Sequence, residues 1–107
     1  MTKLYAAIEQ LNTHYGLEID LSHVEQIYGS DMLDAMASMV EEVVANIEYL
    51  VELGFDENTT DVCNRYGPVL VEDRYYFREK VDKLFADLGH DAIEQLAEDM
   101  SHWEKMM

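Results

Sequence analysis

Hydrophobic residues recur along the middle of the chain with the spacing of an α-helix. The apolar positions between residues 31 and 53 are three or four residues apart: Leu33, Met36, Val40, Val43, Ile47 and Leu50. This alternation of 3 and 4 is typical of a helix that buries one face, as in a coiled coil. We therefore predict one continuous helix over residues 31–53, about 35 Å long at 1.5 Å per residue.

The same pattern predicts further helices, separated mainly by glycines, which often end helices. The predicted segments are residues 4–15, a short helix 22–28, a short helix 60–66, residues 68–88 and residues 91–107. Ser22 with Glu25, and Asp91 with Glu94, have the spacing of helix-capping pairs. Pro68 suits the first position of its helix, where no backbone N–H is needed.

No stretch of alternating apolar and polar residues suggests a β-strand. The pattern predicts an all-α fold, a compact helical bundle of three long and two or three short helices. The length of 107 residues fits a single domain over residues 1–107. No apolar run approaches the roughly 18 residues of a membrane span, and the N-terminus lacks the layout of a signal peptide.

The charge distribution distinguishes this chain from a typical helical bundle. The chain has 23 acidic residues against 7 Lys and Arg, a formal net charge of -16. Residues 4–64 contain 13 acidic residues and no Lys or Arg. Their helices therefore lack the Lys or Arg partners that would stabilise them through pairs of opposite charge one turn apart. Such an excess disfavours direct binding to nucleic acid or to an anionic membrane, and favours a basic protein partner.

Two groups of carboxylates are candidate contacts for such a partner. In the predicted 31–53 helix, acids recur about every 10.5 Å opposite the apolar face, and one more lies a turn beyond. This first group is Asp34, Glu41, Glu48 and Glu52, and the second, around the start of the last helix, is Asp87, Asp91, Glu94 and Glu98. Several such helices side by side, or a homodimer, would approach the charge density of duplex DNA.

The residues do not predict an active site, a metal site or a cofactor site. The four histidines form no HExxH motif, and a single cysteine excludes a CxxC site or an internal disulfide. Cys63 is interpreted as a small buried hydrophobic residue of a protein from a reducing cytoplasm. Arg74 and Arg78 are expected to neutralise acids on neighbouring helices. We expect a cytoplasmic protein that is not an enzyme.

One segment resembles a known family. Residues 84–98 read LFADLGHDAIEQLAE and are similar to small acidic phage DNA-mimic inhibitors, the Ocr-like anti-restriction and anti-CRISPR type. The matching positions are Leu84, Asp87, Leu88, Asp91, Ala92, Leu96 and Glu98, with another acid at Glu94. The chain departs from the family at Gly89, where the family has a bulky aromatic residue, and lacks its acidic C-terminal tail.

The resemblance implies a protein, typically a dimer, that places carboxylates at phosphate-like positions and occupies the nucleic-acid channel of an enzyme. We therefore expect an inhibitor of a nuclease or of a restriction or CRISPR-type defence enzyme in a bacterial host. The alternative is a helical adaptor or assembly protein. Its many Met and Tyr residues would form a groove for an apolar partner segment, and its charge would serve solubility.

Overall fold

The computed structural model describes residues 2–55 and 57–106, and within these ranges its regular structure is entirely helical. The α-helices are α1 (Thr2–Tyr15), α2 (Leu21–Tyr28), α3 (Ser30–Ser38), α4 (Val40–Glu52), α5 (Glu57–Arg65), α6 (Arg74–Leu88) and α7 (Ala92–Glu98). Shorter 3-10 segments cover Gly67–Val71, Gly89–Asp91 and Met100–Met106. The predicted all-α bundle is confirmed.

Helix α4 lies at the centre of the packing. Its Val43, Ile47 and Leu50 side chains are fully buried. The helix contacts α1, α5, α6 and the 3-10 segment Gly67–Val71, so its apolar face reaches most of the hydrophobic core. Because residues at i, i+4 and i+7 share one face, burying these three side chains turns the opposite face of α4 to solvent.

The prediction of one continuous helix over residues 31–53 is wrong. The chain leaves helical geometry at Met39, with φ -123° and ψ 36°, and this residue separates α3 from α4. The backbone is still hydrogen-bonded across the break, since Met39 N–H donates to Met36 and Val43 N–H donates to Met39. Val40, which the continuous seam would bury, is only half-buried.

The predicted helix over residues 68–88 also divides into two parts. Pro68 lies in the first turn of the 3-10 segment Gly67–Val71, and the chain is extended at Glu72. Helix α6 then begins at Arg74, because the Asp73 carboxylate caps it by accepting hydrogen bonds from the N–H groups of Tyr75 and Tyr76.

Two of the predicted helix starts are corrected as well. Asp20, not Ser22, is the N-cap of α2, and its carboxylate accepts from the Ser22 N–H at 3.0 Å. Asp91 makes no side-chain capping bond to α7. The last α-helix ends at Glu98 and the chain continues as a 3-10 helix. Met107, the end of the predicted 91–107 helix, lies outside the described residues.

A buried polar side chain connects α4 to the segment that leads into α6. Asn46 is fully buried, and its Nδ2 donates to the carbonyl oxygens of Leu70 and Glu72, each at 2.9 Å. These carbonyls belong to the turn that places Asp73 and Arg74 beside α4. Asn46 therefore fixes the position of α6 against α4 from inside the core.

We predict that Asn46→Ala lowers the free energy of unfolding by about 2–4 kcal/mol, because it leaves two carbonyl groups without donors and opens a small void. Urea denaturation at neutral pH measures this change. Gln26→Ala, at an exposed position of α2, is the control and should change stability by less than about 0.5 kcal/mol. A loss for Asn46→Ala no larger than that of the control would contradict the role of Asn46.

Candidate partner-binding surface

The solvent-facing side of α4 carries three of the predicted contact carboxylates. Glu41, Glu48 and Glu52 are all exposed. Glu41 and Glu48 are two turns apart, which is about 10.5 Å along the axis, and Glu52 lies one turn further. The structure thus brings these three predicted residues together on one helix face.

Asp34 does not belong to the same helix. It is exposed on α3, beyond the break at Met39, so the predicted straight stripe from Asp34 through Glu41 to Glu48 is wrong at its first member. The helical spacing along α4 does not extend to Asp34, because the backbone leaves helical geometry at Met39, between the two helices.

The second predicted group lies on the segment from the end of α6 through α7. Asp87, Asp91, Glu94 and Glu98 are all exposed. This segment adjoins the C-terminal end of α4, where Phe55 packs against the rings of Phe85 and Trp103 at centroid distances of 5.7 and 5.5 Å. The elements that carry the two groups are therefore neighbours in space.

The ion pairs of the bundle use other carboxylates. Arg74 binds Glu42 through its guanidinium, with Nη2 to Oε1 at 3.0 Å, and its backbone N–H donates to Glu42 Oε2 at 2.7 Å. Lys80 pairs with Glu72 at 3.2 Å. Among the described residues, none of the eight predicted contact carboxylates takes part in an ion pair. Within the described ranges, no Lys, Arg or His side chain neutralises them by direct contact.

The expectation for the two arginines of α6 is half confirmed. Arg74 neutralises Glu42 on α4 as predicted. Arg78 instead lies over the ring of Tyr49, with its guanidinium carbon 4.8 Å from the ring centroid. Burial and a 2.5 Å hydrogen bond from the Tyr49 hydroxyl to Asp82 raise the pKa of Tyr49 to about 12. Helix α6 therefore places positive side chains next to α4, whose solvent-facing side carries Glu41, Glu48 and Glu52.

One of the predicted contact carboxylates, Glu48, is held in place by an aromatic neighbour. The Tyr15 hydroxyl donates to Glu48 Oε2 at 3.0 Å, and this hydrogen bond is the main reason that the pKa of Tyr15 is raised. The His14 ring packs edge-on against the Tyr15 ring, with centroids 4.5 Å apart. The bond links the end of α1 to α4 and orients the Glu48 carboxylate. Sequence spacing alone did not reveal it, because the two residues are 33 positions apart.

A shallow depression of about 780 Å³ lies between α1 and α4. Its lining includes the apolar residues Ala6, Ala7 and Val44 and the carboxylates of Glu9 and Glu48. Among its described lining residues there is one tyrosine and no methionine. The surface therefore offers a depression of mixed polar and apolar lining between α1 and α4, a feature that the sequence pattern did not predict.

The described part of the chain contains no group of three or more His, Cys, Asp or Glu side chains placed to hold a metal ion. Cys63 is fully buried, and burial raises the pKa of its thiol, as expected for a cysteine that serves as a packing residue. Within residues 2–55 and 57–106, no helix combines the length and the apolar character needed to cross a membrane.

Comparisons with protein-family models, with curated proteins and with solved structures found no match for this chain.

The pair of Glu42 and Arg74 gives the stability of the bundle a pH dependence of known sign. The Arg74 hydrogen bonds hold the pKa of Glu42 below its usual range. The stabilisation is therefore present above the ordinary glutamate pKa of about 4.3 and is lost as pH falls through the lowered pKa of the folded state.

We predict that Glu42→Gln removes this dependence. The difference in urea midpoint between wild type and Glu42→Gln should be largest near neutral pH and shrink below about pH 4. The control is Glu25→Gln, at an exposed position of α2. It also removes one negative charge, and so measures how much of the change comes from the general relief of repulsion at low pH. A difference that stays constant from neutral to acidic pH would contradict the role assigned to this pair.

Proposed function

We propose that this protein is an acidic, non-enzymatic inhibitor that occupies the basic nucleic-acid channel of a host nuclease or defence enzyme of the restriction or CRISPR type. One observation carries the proposal. All eight predicted contact carboxylates are exposed, and among the described residues none is engaged in an ion pair, whereas Arg74 and Lys80 of α6 pair with two other acids, Glu42 and Glu72. Exposed carboxylates without an internal cation remain available to the Arg and Lys side chains of a partner protein.

Electrostatics supports this kind of partner. Exposed carboxylates of one sign produce a negative potential that steers a basic groove towards them, and salt screens it over about 10 Å at 0.1 M. The spacing of about 10.5 Å between Glu41 and Glu48 is far wider than the phosphate spacing of about 3.4 Å along a DNA strand. Mimicry of duplex DNA therefore requires both carboxylate groups together, or two copies of the chain.

The adaptor function remains the second candidate. Tyr75 and Tyr76, at the start of α6, are 75% and 52% exposed and would give an adaptor an aromatic contact surface. Binding through these rings would be insensitive to salt, whereas binding through carboxylates weakens as salt is added.

We predict that the immobilised protein captures nucleic-acid enzymes from a nuclease-treated bacterial lysate at about 0.1 M NaCl and releases them at about 0.5 M, because the attraction is screened. Added duplex DNA should displace the same proteins, because both ligands compete for one channel. Capture that survives high salt and is unaffected by duplex DNA would favour the adaptor function instead.

We also predict that reversing three charges on α4 abolishes capture without unfolding the bundle. The variant is Glu41→Lys with Glu48→Lys and Glu52→Lys, and binding should fall by at least about a hundredfold, since each lost contact becomes a repulsion. Circular dichroism verifies that the helices persist.

A matched control carries the same change in net charge at exposed carboxylates elsewhere: Glu18→Lys, Glu25→Lys and Glu79→Lys. The control should retain most of the binding. Equal losses in the two variants would show that net charge alone, and not the face of α4, determines recognition.

A further inference from the structure

We draw no further inference here: the strongest candidate, the depression between α1 and α4, has a lining of mixed polar and apolar side chains with the exposed carboxylates of Glu9 and Glu48, and nothing in the structure shows what would occupy it.

Discussion

The burial of one face of α4 is the constraint on which the rest of the structure depends. Val43, Ile47 and Leu50 have no exposed surface and join α1, α5 and α6 into one core. Hydrophobic burial of this kind opposes the self-repulsion of a chain with a net charge of -16. Once this face is buried, helical geometry directs Glu41, Glu48 and Glu52 outwards.

Two sets of polar contacts fix the position of α6 beside α4. Asn46 donates two hydrogen bonds to the turn before α6, and Glu42 binds both the backbone N–H and the guanidinium of Arg74. The second set uses a positive residue, Arg74, which is half-buried and borders the outer face of α4. The same packing that makes the bundle stable therefore leaves the outer face of α4 negative.

The sequence was sufficient for the fold class and for the exposure of the contact carboxylates, because both follow from helical periodicity. It was insufficient for the break at Met39, since neither Gly nor Pro marks it and the apolar spacing of 3 and 4 continues across it. Pro68 lies in the first turn of the 3-10 segment Gly67–Val71, and α6 starts only after the Asp73 cap, which was not predicted from the sequence. Glu42, Asn46 and Tyr15 act on partners 24 to 33 residues away, and local patterns contain no information on such contacts.

The most direct measurement is the binding footprint on the protein itself. Amide NMR of the ¹⁵N-labelled chain, titrated with a purified basic partner at low salt, reports which residues lie in the interface. The account predicts that shifts and line broadening concentrate at Glu41, Val44, Glu48 and Glu52, on the outer face of α4. A footprint centred on Tyr75 and Tyr76, with the outer face of α4 unperturbed, would contradict it.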